Sequence, residues 1–284
     1  MDFLRSVFVS VFIAFIFAAF FFASTELVRG VGLVWSWLGL GLSALGPIVF
    51  FSWVFIAKPA RTSPHPLGIT LVSGLGLAIT MLMSWRFGDA AGTVHIWAGV
   101  VFISWIIYLR WYSTFLGRSA SVLTVGNQLP EFELQNTEGV IIRSDSFTGK
   151  AHILVFHRGN WCPFCMAQIK ELAEQYQEIK AAGAVVAFIS PQSLDKNQSL
   201  ARRFDVTLEF YCDPKGRATK LLGIAHTWGT PMGMQLLGYD SDSVLPTVII
   251  TDETGKILYC DQTDNYRIRP EPSDFLGILA KSRL

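Results

Sequence analysis

The sequence predicts a protein of two classes in one chain: an all-α, four-helix transmembrane domain over residues 1–116 and an α/β domain over residues 128–284, joined by a linker at 117–127. Three observations carry this. Four apolar stretches fill the first part, strand and helix patterns alternate through the second, and two cysteines stand where a hydrophobic strand gives way to an amphipathic helix.

The apolar stretches cover 7–23, 31–57, 67–85 and 93–109, each near the ~17–25 residues that a bilayer-spanning helix needs. The first is longer than the ~7–15-residue core of a secretory signal, and Glu26 and Arg29 follow it instead of a small-residue cleavage site, so it reads as a retained helix. Lys and Arg beside the spans set the orientation. Arg5, Lys58, Arg61, Arg110 and Arg118 fall on one side, against Arg29 and Arg86 on the other. The imbalance predicts a multi-pass protein of the bacterial inner-membrane kind, with both termini and the α/β domain in the cytoplasm. His65 and His95 begin consecutive antiparallel spans and so lie near opposite faces, which excludes a haem held by both. Gly39, Gly41 and Gly46 read as helix-packing positions. A net charge of +1 without a basic stripe excludes a nucleic-acid partner; the partner that apolar length implies is the lipid bilayer.

After the linker, "EFEL" and "GVIIRSD" are short strand candidates around a turn at Asn136–Gly139, and "HILVFH" is a continuous apolar run suited to a buried central strand. Met166, Ile169, Leu172, Ala173, Tyr176 and Ile179 then recur at helical spacing, which predicts one helix over 163–182. "AVVAFIS" (strand), 194–204 (helix), "LEFYCD" (strand) and 217–222 (short helix) follow. "TVIITD" and "KILYCD" flank Glu253–Thr254–Gly255 as a hairpin, and 272–281 closes the chain as a helix. Such alternation predicts an α/β sandwich with a mixed sheet.

All four cysteines, Cys162, Cys165, Cys212 and Cys260, lie in the second part. Cys162 falls at the junction of strand and helix, with Pro163 at the first helical position, where a missing N–H costs nothing. The positive end of the helix dipole favours thiolate over thiol there. Cys165 stands one turn further in and can close a small disulfide ring with Cys162. A zinc site would need two more ligands; Cys212 and Cys260 are isolated, and His157 and His226 lack ligand spacing, so neither a metal nor another cofactor is expected. Cys212 and Cys260 end strand-like runs and read as small buried hydrophobes, or either as an extra resolving thiol. Arg158 admits two readings, a cation that lowers a thiolate pKa and binds an oxygen substrate, or a solvated strand end. His157 reads as a structural residue. The segment 225–239, rich in Gly and Met, reads as a packed surface loop or as a lid over the dithiol.

The central strand, Trp161-Cys162-Pro163-Phe164-Cys165, the amphipathic helix and the later "VLPTVII" together resemble the thioredoxin fold, whose cis-proline before a strand faces the dithiol; Pro246 matches that position and Thr247 follows it. The longer string "VFHRGNWCPFCMAQIKEL", with "GNQLPEFEL" and "YCDPKG", is similar to the peroxiredoxin-like branch, the alkyl hydroperoxide reductase and thiol-specific antioxidant group. The resemblance covers residues 122–284. It puts Cys165 in the position of the cysteine that attacks peroxide, Cys162 where the family has Thr, and Arg158 where it has Pro. The family's second arginine, shortly before the Thr of the last parallel strand, has no counterpart among Val244, Leu245 and Pro246. The resemblance implies a thiol oxidoreductase that reduces peroxides or protein disulfides and is returned to the dithiol by an unidentified thiol reductant. In disulfide exchange Cys162, as the more exposed N-terminal thiol, would attack and Cys165 resolve; in peroxide reduction the roles are reversed. An alternative from another class is a redox-sensing domain that regulates a membrane carrier or interaction module.

Overall fold

A computed structural model describes residues 2–30, 34–87, 94–115, 118, 122–204, 206 and 208–281. The expected starts of the second and fourth spans, at Val31 and Thr93, and much of the linker lie outside these residues. The chain folds as two compact units, one comprising Val7–Lys58 and Thr62–Thr114, the other Met1–Ser6, Pro59–Arg61 and Phe115–Leu284.

The N-terminal region is helical: α1 (Asp2–Arg29), α2 (Val34–Ala57), α3 (Leu67–Phe87) and α4 (Val94–Ile107), the last continued by a π-helical turn over Tyr108–Tyr112. All four, with that turn, are long and apolar enough to cross a membrane. Small residues let α2 and α3 meet backbone to backbone. A Cβ on Gly76 would overlap the Ser43 backbone nitrogen, one on Gly39 would come within 2.7 Å of the Gly76 carbonyl oxygen, and one on Gly46 within 3.0 Å of the Ile69 carbonyl oxygen. Gly41 is different, because its Cβ would meet only the Ala23 methyl at an ordinary 3.6 Å. Thr80 donates to the carbonyls of Gly76 at 2.9 Å and Ser36 at 3.3 Å, and the Trp105 indole N–H donates to Thr70 Oγ1 at 3.0 Å, so these side chains find partners inside the bundle.

The C-terminal domain is a mixed α/β, thioredoxin-like sheet. In chain order it comprises β1 (Glu133–Asn136), β2 (Ile141–Arg143), β3 (Ala151–Phe156), α5 (Pro163–Glu174), α6 (Tyr176–Ala181), β4 (Ala184–Ser190), α7 (Leu194–Ala201), β5 (Glu209–Cys212) and α8 (Arg217–Leu221). The short pair β6 (Ala225–His226) and β7 (Ser243–Val244), then β8 (Thr247–Thr251), β9 (Ile257–Asp261) and α9 (Pro272–Lys281), complete it. The large sheet runs β2-β1-β5-β4-β3-β8-β9, with β3, β4 and β5 parallel and β8, β9 and β1 antiparallel to their neighbours. The unbroken apolar run of β3 follows from its central place, since both faces are covered: Ile153 and Val155 pack with Ile169, Leu172 and Phe275, while Leu154 and Phe156 pack with Leu134, Ala218 and Leu222. At the β8–β9 hairpin, Asp252 Oδ1 accepts the N–H groups of Thr254 and Lys256, and Gly255 takes φ +83°.

The helix expected over 163–182 is broken at Gln175, whose ψ of 13° ends α5. Ile169, Leu172 and Ile179 enter the same core from both sides of the break, so their apolar period runs through it and reads as one helix. The helix expected to end at Phe204 stops at Ala201, while Phe204 continues the apolar pattern by packing on Phe210.

The glycine contacts of the helical unit predict a contrast. Gly76→Leu forces α2 and α3 apart and costs about 1–3 kcal/mol, whereas Gly41→Ala stays within about 0.5 kcal/mol; thermal unfolding of the full chain in detergent measures both.

Candidate active site

The dithiol is set by the exit from β3. The His157 N–H extends the ladder by donating to the Ile189 carbonyl at 2.9 Å, and the chain then turns at Gly159, where φ is +129° and a Cβ would lie 3.0 Å from the Trp161 indole nitrogen. Asn160 and Gln192 close the turn reciprocally: Asn160 N–H donates to Gln192 Oε1 and Gln192 Nε2 to Asn160 Oδ1, both at 2.9 Å. Behind them Asn197, fully buried, accepts from Ser190 Oγ at 3.1 Å and donates to the Tyr211 carbonyl at 2.8 Å and to Cys212 Sγ at 3.0 Å. This network pins the loop before the cysteines to the ends of β4 and β5. Cys212 is buried within it and its thiol is raised by that burial.

Cys162 is the N-cap of α5 and Pro163 its first residue, as the sequence predicts. The Met166 N–H donates to the Cys162 carbonyl at 3.1 Å, so the first turn carries Cys165 back over Cys162. Their sulfurs are 2.9 Å apart. Both cysteines are enclosed, at 1% and 0% exposure, which corrects the expectation that Cys162 is the more exposed thiol: Pro163 starts the helix inside the fold, and Arg158, Trp161 and Tyr266 gather around it.

The two sulfurs are electrostatically unequal. Burial pushes Cys165 up, but the hydrogen bond with Cys162, the guanidinium of Arg269 and the nearby backbone and charge of Arg158 outweigh it and draw the thiol down to about 6. Arg269 Nη2 lies 3.7 Å from Cys165 Sγ. Cys162 is raised well above an ordinary thiol, by burial and by the same neighbour. Of the two, Cys165 is the thiol that the surroundings favour as thiolate.

Arg158 is buried, with its guanidinium 4.7 Å from the Trp161 ring centroid and 5.2 Å from that of Tyr266, and it donates to the Gly229 carbonyl. Of its two readings, the solvated strand end is therefore excluded. Phe164 packs edge-on against Tyr266 at 5.6 Å. His157 is pushed down to about 3 by burial and by the charge of Arg269, and its ring nitrogens have no hydrogen-bond partner among the described residues; it stays neutral at any physiological pH. Pro246 and Thr247 precede and open β8. The Pro246 carbonyl accepts from Arg118 at 2.8 Å, and Thr247 Oγ1 donates to the Leu245 carbonyl at 2.8 Å and accepts from Arg118. The cis-proline expected at Pro246 is not found, since its peptide bond is trans.

The residue that sequence reasoning missed is Arg269. No guanidinium precedes Thr247, but the segment after β9 returns to the site and supplies one. Arg61 helps hold that segment by donating from Nε to the Arg269 carbonyl at 3.2 Å and from Nη2 to Glu171 of α5 at 2.7 Å. The signal in the sequence is faint, an "NYRIRP" string outside any strand or helix. Its apolar neighbours conceal that Arg267 and Arg269 are both buried.

The chain is similar to known proteins over its C-terminal part. A family model described as the AhpC/TSA family matches residues 125–260. The chain is 26% identical over 127 residues to "Peroxiredoxin Q, chloroplastic" of Sedum lineare, spanning 44% of this chain and 68% of that protein. It is also 26% identical over 136 residues to "Putative peroxiredoxin bcp" of Haemophilus influenzae, spanning 48% and 84%. The C-terminal domain is peroxiredoxin-like. Among solved structures, the peroxidoxin BcpB from Mycobacterium tuberculosis superposes with a TM-score of 0.47 and 20% identity, over 57% of this chain and 99% of that one. As a peroxiredoxin-like domain it is a thiol oxidoreductase, the class in which a cysteine thiolate carries the chemistry.

Because the Cys165 thiol is depressed, its thiolate is present above pH 6 and is lost as pH falls through that value. Alkylation of Cys165 by a haloacetamide is expected to be flat from pH 7 to 8 and to fall about tenfold per unit well below pH 6, and Arg269→Met to move the inflection up by about one unit.

Proposed function

We propose that the protein is a membrane-anchored peroxidase in which Cys165 reduces a hydroperoxide and Cys162 resolves the product. The observation that carries the reading is the position of Cys165 Sγ, between Arg269 Nη2 at 3.7 Å and Cys162 Sγ at 2.9 Å. The Cys165 thiolate attacks the hydroxyl oxygen of the peroxide, the O–O bond breaks, and the departing alkoxide takes up a proton to leave as an alcohol, or as water from hydrogen peroxide. Sulfur is oxidised to sulfenic acid. Arg269 and the N-terminal end of α5 stabilise the negative charge that moves along the S–O–O line. Cys162 then displaces the sulfenic hydroxyl, which departs as water with the Cys162 proton, leaving a Cys162–Cys165 disulfide. A thiol reductant supplies the two electrons that restore the dithiol.

Attack by Cys162 on a protein disulfide is disfavoured by its raised thiol. The anchoring part of the proposal rests on four helices of membrane-crossing length and apolarity. On this reading residues 1–116 insert, 117–127 link, and 128–284 form the catalytic domain in the cytoplasm, the side that Lys and Arg favour.

Oxidation of the reduced full chain by hydrogen peroxide, followed by mass mapping, tests the assignment. The expected product is a Cys162–Cys165 disulfide, with sulfenic acid trapped at Cys165 in Cys162→Ser and no fast phase in Cys165→Ser. Sulfenic acid at Cys162 in Cys165→Ser, formed as fast as the native disulfide, would reverse the roles.

A further inference from the structure

The connection between β6 and β7 carries an apolar surface that the chemistry of the dithiol does not use. Leu236 is 91% exposed, Leu237 63%, Met232 47% and Trp228 41%. Trp228 sits at φ +52°, a backbone region that bulky side chains avoid, and its N–H is held by Asp242 Oδ1 at 2.9 Å. Strain of this kind marks a residue whose direction matters.

The same loop is bonded to the first turns of α1. The Met232 N–H donates to the Ser6 carbonyl at 3.1 Å, Ser6 Oγ donates to the Thr230 carbonyl at 2.6 Å, and the Trp228 ring meets Phe3 edge-on at 5.0 Å. The charges that bracket the apolar run of α1 are Arg5 and Glu26, with residues 6–25 between them. At about 1.5 Å per residue that run spans about 30 Å, the thickness of a bilayer's hydrocarbon core. If α1 crosses a membrane, Arg5 and Ser6 therefore mark one boundary of the hydrocarbon, and a loop hydrogen-bonded to Ser6 stands at the same depth. Its composition suits that depth, since Trp and Tyr collect in the head-group layer and Lys reaches out of it. Lys196 Nζ donates to the Leu237 carbonyl at 2.8 Å and lies 4.0 Å from the Tyr239 ring centroid.

The inner side of the loop reaches the site. The Gly229 carbonyl, next to Trp228, accepts from Arg158, whose guanidinium covers Trp161 beside Cys162.

We infer that residues 228–237 form a lipid-contact element that rests in the head-group layer and gives the dithiol access to hydroperoxides carried on phospholipid acyl chains. The inference rests on the membrane-anchored peroxidase reading above and names its substrate class. The reaction is the one already balanced, with the lipid alcohol as the leaving group.

The test uses the full chain in nanodiscs of phosphatidylcholine and phosphatidylglycerol. Trp228 emission, taken as wild type minus Trp228→Phe, is expected to be quenched by lipids brominated near the head group and little affected by aqueous iodide. Quenching by iodide and not by brominated lipid overturns the inference and points to water or a protein partner over the loop. If Trp53 of α2 also escapes the brominated lipid, the membrane reading itself has failed. In a second measurement, Leu236→Glu with Leu237→Glu is expected to slow oxidation of the dithiol by a phospholipid hydroperoxide at least about tenfold and to leave the rate with hydrogen peroxide unchanged. Equal effects on both peroxides, including none on either, overturn the inference. A wild-type protein inert to hydrogen peroxide sinks the peroxidase reading, a result separable from the fluorescence.

Discussion

Keeping a negative sulfur inside the protein is the constraint on which the site depends. Cys165 is fully enclosed, and a thiolate taken out of water is costly unless charge and hydrogen bonds replace its hydration. Three elements converge to supply them. The first turn of α5 brings Cys162, the exit from β3 brings the backbone and the charge of Arg158, and the segment after β9 brings Arg269. The first two adjoin in sequence and Arg269 comes from far along the chain, and each is fixed by its own bonds, as in the Asn160–Gln192 pair under the loop and Arg61 across Glu171 and the Arg269 carbonyl. Arg158 and Arg269 are themselves buried, so the anion and the cations share the cost of leaving water.

The two units answer different requirements with the same building blocks. In the helical unit apolar side chains face outward as well as inward, and the helices adhere through glycines and through serine and threonine hydroxyls that find carbonyls on a neighbour. In the α/β unit the apolar groups are drawn into two cores on either side of one sheet, and buried Gln192, Asn197 and Ser190 bond to one another beneath the loop that presents the cysteines. The first arrangement suits helices surrounded by lipid, and the second a domain surrounded by water.

What was legible in the sequence was local. Apolar length marked the four helices, the continuous run "HILVFH" marked the central strand, and Pro163 marked the helix start with Cys162 as its cap. The family resemblance singled out Cys165. What was not legible depended on chain segments meeting in space. Arg269 lies far from the dithiol in sequence, and no spacing rule connects them. The N-cap position of Cys162 does not reveal its burial, and the break at Gln175 is hidden because apolar residues on both sides serve one core. Pro246 matched a family position by its neighbours, yet peptide geometry is set by the surrounding packing, which a dipeptide does not record.

The 2.9 Å separation of the sulfurs has a bearing on how such a centre ages. A sulfenic acid left waiting can be attacked by a second oxidant molecule and carried irreversibly to sulfinic acid. Here the competing thiol is on the same helical turn, at an effective concentration that no dissolved oxidant approaches. On the proposed reading the vulnerable oxidation state is brief, and the spacing of two residues limits further oxidation.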